Sequence, residues 1–328
     1  MLIPRYRTLA KRCLAGDAEA TIPKMKEDAQ TLMDGIAAGK TLPLARAISY
    51  LESGGEVAEA LLDLIPPQPE DVSRIGITGP PGTGKSTLVS ALAIAMRREN
   101  PDKRLGIVAV DPSSPFSGGA LLGDRLRMAE LSEDAGVFIR SMASRGALGG
   151  LAVATDSACD LLASAGYARL IVETVGVGQS EVDIASSCET TLVVLNPESG
   201  DSVQAIKAGL MEVADILVVN KGDHPRAQKF ANDVAAGLEL RAHSEGPFWQ
   251  VPVVQTIATE NRGTAEVLGA IEKHQRFLAS SGEGERRRQR RLQQRIQKLW
   301  RAALVREIEA KPEFEAELAW VSAEVAKR

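Results

Sequence analysis

A chain of 328 residues, 44% hydrophobic and 25% charged, has the composition of an ordinary globular protein and is long enough to bury a core without disulfides or a structural metal. Its formal charge of −4 and its three cysteines, at 13, 159 and 188, exclude a nucleic-acid coat and a disulfide scaffold and fit a reducing compartment. No apolar run approaches the ~18–20 residues needed to cross a bilayer, so no membrane association and a cytoplasmic location are expected.

The opening segment, residues 1–16, carries Arg5, Arg7, Lys11 and Arg12 and no acid. It reads as the exposed face of a first helix, with a transit peptide as the alternative. Apolar residues at three- and four-residue spacing over 29–38, 42–51 and 57–65 predict three helices separated by glycines. Pro66, Pro67 and Pro69 then close an N-terminal helical region, residues 1–70.

From residue 73 the period changes. Short apolar, β-branched runs at 74–78, 105–110, 137–140, 170–174, 191–195, 216–220 and 251–256 predict strands. Crossover helices are expected at 86–99, 124–134, 151–165, 202–214 and 225–240, with a further helix at 264–278. Strands apolar on both faces and alternating with helices predict an α/β domain, residues 71–280, with a mostly parallel sheet. After the breaker at 280–284 the charge changes sign: twelve Lys/Arg stand against eight Glu over 281–328. Leu292, Ile296, Leu299 and Ala303 form an apolar stripe on one charged helix, and Phe314, Leu318 and Val321 mark a second after Pro312. Two such helices hold too little core to be a domain, so they pack on the sheet domain or on another subunit.

The sharpest motif is Gly79-Pro80-Pro81-Gly82-Thr83-Gly84-Lys85-Ser86-Thr87, which follows the first expected strand and opens a helix. This is a complete P-loop in the strand–loop–helix context that a chance match lacks. Its glycines let backbone N–H groups face phosphate oxygens, and the helix start adds unpaired N–H groups. Lys85 is placed to reach the β and γ phosphates, Ser86 to meet magnesium, and Thr87 to support the α phosphate.

Asn220-Lys221-Gly222-Asp223 follows a strand and selects the base. The Asp223 carboxylate can accept both N–H groups on guanine's edge, a match that adenine lacks, while the Lys221 stem lies on the base and Asn220 bridges backbone segments. Thr256-Ile257-Ala258 is the expected backbone contact on the base.

Asp111 and Glu173 end strands beside the P-loop and are candidates for magnesium contact, each with turn capping as the alternative. Asp124 divides evenly between that role and capping a helix. The stretch 174–181 follows Glu173 directly, with Gly176 offering an N–H near the γ phosphate; 112–127 and 145–150 are further candidate switches. No strong base for water is evident, which predicts slow intrinsic hydrolysis accelerated by a partner.

The P-loop, Val110-Asp111-Pro112-Ser113-Ser114, Leu122-Gly123-Asp124-Arg125, Leu148-Gly149-Gly150 and above all the run from Glu173 to Glu181 resemble the methylmalonyl-CoA mutase-associated GTPase family. These are P-loop GTPases whose members were once labelled lysine/arginine/ornithine transport ATPases. The resemblance spans roughly residues 42–291. It implies a GTP-binding, GTP-hydrolysing chaperone of an adenosylcobalamin-dependent acyl-CoA mutase, with a C-terminal helical arm, residues 281–328, used in homodimerisation. Carried over by position, magnesium and catalytic roles fall on Lys85, Ser86, Asp111, Asp124 and Glu173. Thr256-Ile257-Ala258 departs from the family's Thr-Ser-Ala at its middle residue.

The alternatives are a P-loop ATPase or kinase linked to basic amino-acid transport, and a GTPase delivering nickel. Asp223 opposes the first; the scattered cysteines and His224, His243 and His274 oppose the second, the histidines reading as surface or capping residues. The arginines over 286–295 read as the exposed face of a dimerising helix in preference to a nucleic-acid contact.

Overall fold

The computed structural model describes residues 22–69, 71–111, 129–143, 150–174, 186–198, 210–239, 248–309 and 311–326. The side chains of residues 22–26, 111, 129, 143, 150–152 and 239 stand outside this description, as do those of 302 and 306. The chain divides into two compact units, Met1–Ile65 and Pro66–Arg328.

In the first unit, α1 (Ile22–Ala37), α2 (Thr41–Ser53) and α3 (Glu56–Leu64) match the three expected helices. Ala29 and Ile36 on α1, Leu44, Ala47, Ile48 and Leu51 on α2, and Ala58 and Leu61 on α3 are buried. Their three- and four-residue spacing puts each set on one helix face, which gives the unit a small core of its own.

The second unit contains all seven expected strands: β1 (Ser73–Thr78), β2 (Arg104–Asp111), β3 (Val137–Ala143), β4 (Tyr167–Thr174), β5 (Thr190–Leu195), β6 (Ile216–Val219) and β7 (Val253–Gln255). They form one sheet in the order β3-β2-β4-β1-β5-β6-β7. Every pairing is parallel. The helices are α4 (Lys85–Glu99), α5 (Gly150–Ser164), α6 (Ala227–Glu239), α7 (Thr264–Ser281), α8 (Glu283–Glu309) and α9 (Pro312–Ala326). Of the helices expected over 124–134 and 202–214, the described parts are single turns at Ala129–Ser132 and Leu210–Val213.

Alternate residues of β5 show why its sequence is apolar throughout. Leu192 and Val194 join Leu88 and Leu92 of α4 and Val267 and Ile271 of α7 in one core. Val193 and Leu195 join Leu210, Met211 and Val234 in the other. With both faces covered, the central strand can be β-branched and apolar at every position. From β1 the chain crosses to β2 and β3 on one side, returns to insert β4 between β2 and β1, and then builds the other side through β5 to β7, so the direction of building reverses beside β1. In parallel sheets the crevice at that reversal, outside the carboxyl ends of the strands, is where ligands bind.

The opposite edge of the sheet corrects two expectations. Arg287, Arg291 and Arg295, one turn apart on α8, turn inward instead of facing solvent. Arg287 makes a two-pronged bond to Asp215, both arms at 2.9 Å, and reaches the Glu189 carbonyl at 3.0 Å. Arg291 pairs with Glu189 and Arg295 with Asp160. Asp160 also holds the fully buried Arg74 at the start of β1. His274, expected at the surface, is 0% exposed, with Nδ1 3.0 Å from Thr190 Oγ1 and Nε2 3.3 Å from Asp215. Burial pushes the Asp215 carboxyl up, but the neighbouring His274 and the two-pronged bond from Arg287 outweigh it and hold the group below the usual carboxylate range. Spacing places the arginines on one face; it does not show that the acids at the sheet's foot, distant in sequence, meet that face.

Candidate nucleotide site

The loop between β1 and α4 curls around its own lysine. Lys85 is 5% exposed, and its Nζ donates to the carbonyls of Gly79 and Pro80, both at 2.8 Å. Thr83 Oγ1 closes the ring by donating to the Pro80 carbonyl at 3.0 Å. At Gly79, φ is 141° and an added Cβ would lie 2.1 Å from the Val194 carbonyl oxygen, so only glycine lets the loop leave β1 this close to β5. The α4 N-terminus follows at once, and its leading N–H groups and dipole favour an anion there.

Glu173 reaches this loop from the end of β4, which pairs with β1 in the register Ile77 to Glu173. Ser86 Oγ donates to Glu173 Oε1 at 2.6 Å, and Glu173 is 5% exposed. A bond between Thr78 Oγ1 and Thr174 Oγ1 at 2.9 Å ties the two strand ends beside it. Asp111 ends β2 opposite Ala143. Asp124 and Gly176 lie outside the described residues, as do the expected switch stretches 112–127, 145–149 and 175–181.

Asn220 links the base motif to the phosphate loop. It is 4% exposed, and its Nδ2 donates to the Thr83 carbonyl at 2.9 Å. Its Oδ1 accepts from Thr256 Oγ1 at 3.0 Å and from the Ala258 N–H at 3.1 Å, so that Ala258 donor is engaged within the protein. The Ile257 N–H is engaged as well, donating to the Arg262 carbonyl at 3.0 Å. Lys221 takes the left-handed φ of 57° as the chain turns out of β6, and the Gly222 N–H donates to the Thr256 carbonyl at 2.9 Å. Asp223 stands exposed beyond the turn.

The structure thus joins Lys85, Ser86 and Glu173 at one point and Thr83, Asn220, Thr256 and Ala258 at another, with the P-loop running between. Two contributors escape the sequence reading. Asn196, 5% exposed, donates from Nδ2 to the Gly82 carbonyl at 3.2 Å, and Glu198 pairs with Lys221. Neither lies in a motif. Their positions become informative only once β5 and β6 are known to be neighbours.

A family model described as "Methylmalonyl Co-A mutase-associated GTPase MeaB" matches residues 44–313. The chain belongs to the MeaB family. Among its relatives, a Pyrococcus abyssi protein named as a GTPase is 43% identical over 280 residues, 85% of this chain and 86% of that one. The mouse mitochondrial methylmalonic aciduria type A homologue is 34% identical over 320 residues, 92% of this chain and 75% of the relative. A crystal structure of a LAO/AO transport system kinase superposes with a TM-score of 0.68 at 26% identity, covering 95% of this chain and 94% of that one. This MeaB-family member therefore has the α/β P-loop NTPase fold, with flanking N- and C-terminal helices, and is a nucleotide-hydrolysing GTPase. Among the described residues no helix is long and apolar enough to cross a membrane.

Proposed function

We propose that this MeaB-family GTPase is a magnesium-dependent, cytoplasmic chaperone of an adenosylcobalamin-dependent acyl-CoA mutase, coupling GTP hydrolysis to cofactor loading and mutase protection. The observation that carries the chemical part is the bond between Ser86 Oγ and Glu173 Oε1 at 2.6 Å beneath the P-loop. Two oxygen donors side by side at a helix N-terminus fit a hard divalent cation that keeps most of its waters and takes few protein ligands. Ser86 and Glu173, with Asp111 and Asp124, would hold magnesium. When bound it supplies neutralisation of the charge shared by the β and γ phosphates.

In this reading Lys85 exchanges its bonds to the Gly79 and Pro80 carbonyls for bonds to the β and γ phosphates. The N–H groups of Gly82, Thr83, Gly84, Lys85 and Ser86 cradle the phosphate chain, Pro80 and Pro81 stiffen the loop, and Thr87 supports the α phosphate. Water attacks the γ phosphorus in line, with the Gly176 N–H and Lys85 stabilising the charge that spreads over the equatorial oxygens. Asp223 accepts the guanine N–H groups, the Lys221 stem covers the base, and Asn220 with Thr256, Ile257 and Ala258 keeps the base pocket in register with the phosphates. No side chain is assigned as the base for water, so intrinsic turnover is slow and the partner accelerates it.

The domains in this reading are a helical region 1–70, a GTPase domain 71–280 and a homodimerising arm 281–328. Support for the arm comes from Trp300, Leu304, Val305 and Ile308 on α8 and Trp320 and Val325 on α9, each at least half exposed. Support for the mutase comes from the family and from the name of the mouse relative. The test is a pull-down from the native source, with GDP and with a non-hydrolysable GTP analogue. A cobalamin-dependent mutase is expected in the bound fraction, in amounts that depend on the nucleotide. Recovery of none in either state overturns the chaperone role and leaves the GTPase standing.

A further inference from the structure

We propose that the turn Asn196-Pro197-Glu198 positions both halves of the nucleotide site, Asn196 by fixing the P-loop peptides and Glu198 by holding the Lys221 stem in place for the base. The proposal rests on the guanine reading of Asp223 given above.

The sheet brings these residues together. β5 and β6 are parallel neighbours with Leu195 opposite Val219, and the Asn220 N–H donates to the Leu195 carbonyl at 2.8 Å. The residues that follow the two strands therefore emerge side by side. Each sends a buried asparagine to the same loop: Asn196 Nδ2 to the Gly82 carbonyl at 3.2 Å and Asn220 Nδ2 to the Thr83 carbonyl at 2.9 Å. In a trans peptide the carbonyl and the following N–H point in opposite directions. Fixing the carbonyls of Gly82 and Thr83 thus fixes the directions of the Thr83 and Gly84 N–H groups. Two donors of the phosphate cradle are set before any phosphate arrives, which reduces the ordering cost of binding.

Glu198 acts on the other half. The left-handed backbone of Lys221, φ 57°, sets where its side chain departs, but a four-carbon stem still has many rotamers to lose. The Glu198 carboxylate pairs with the Lys221 ammonium and so holds the stem at its far end. That bond also lowers the affinity of Glu198 for a proton, keeping it ionised at neutral pH. With its charge matched locally, Lys221 offers the base its methylene face.

The experiment uses the full chain. Glu198→Gln keeps the shape and removes the charge. It is expected to raise the KM for GTP about three- to fivefold, the scale of an exposed ion pair, with a smaller effect on kcat. Salt of ~1 M screens the pair and should bring the KM values of wild type and variant together. Asn196→Ala should speed release of a fluorescent GDP analogue about fivefold, the scale of one hydrogen bond. An unchanged KM for Glu198→Gln, a loss confined to kcat, or a difference indifferent to salt overturns the proposal. If Asn196→Ala does not fold, Glu198→Gln decides alone. Asp223→Asn run in parallel separates the two readings. If it abolishes the preference for GTP over ATP while the turn variants bind as wild type does, only the turn's role fails. If it leaves the preference intact, the guanine reading fails and the proposal with it.

Discussion

At Gly84 the backbone has φ of 86°, and an added Cβ would stand 2.4 Å from Asn220 Nδ2, the amide that bridges the base motif to the P-loop. Gly84→Ala therefore meets two costs at once: a left-handed backbone that disfavours any side chain by about 1–2 kcal/mol, and displacement of that bridge. We expect GTP affinity to fall at least about tenfold, read by calorimetric titration. Glu173→Gln is a different kind of change. It keeps an acceptor for Ser86 Oγ but deletes the charge at that spot. Hydrolysis should fall about a hundredfold while the fold persists, measured as single-turnover phosphate release alongside the thermal midpoint. The P-loop is readable from sequence because its chemistry lies in nine consecutive residues. Asn196 is not, because an asparagine after a strand means nothing until a second strand delivers the P-loop's neighbour, Asn220, to its side.

The same contrast holds for whole elements. The central strands announce themselves, since an element covered on both faces, as β5 is, must be apolar along its length. Helix α8 escapes that logic because its inward face is charged. Its arginines meet acids that come from α5, from the approach to β5 and from the residue before β6, while Leu292 of the expected apolar stripe is left 47% exposed. Arg287→Ala would leave Asp215, with only 8% of its side chain exposed, short of its two-pronged partner. A loss of about 2–3 kcal/mol in urea unfolding is expected, since the remaining carboxylate keeps its burial cost. Acid should act through the same group. Because folding lowers the pKa of Asp215, the stabilisation it brings is complete above about pH 5 and is lost as the pH falls through the depressed folded value. Asp215→Asn should flatten that acid limb of the stability profile.

At the scale of the molecule, the parallel sheet separates two kinds of chemistry. The carboxyl ends of the strands carry the P-loop, Glu173 and Asn220, and the amino ends carry the arginine pairs that seat α8. Beyond that seat the arm is bare: Trp300, Leu304, Val305 and Ile308 are at least half exposed and α9 has no buried residue. If this arm pairs with a second copy, as proposed, Leu304→Asp is expected to give a monomer in sedimentation velocity where the wild type is a dimer, with GTP affinity changed less than about twofold because the substitution stands at the far end of α8 from the arginine pairs. A fifteen-residue helix with no buried residue is marginal in water. Where a second copy covers it, as the proposed dimer requires, its winding is governed by how crowded the solution is with copies of the same chain. On dilution the last turns should unravel and become open to protease clipping, so that the cell's stock of this protein would itself regulate how long each arm survives.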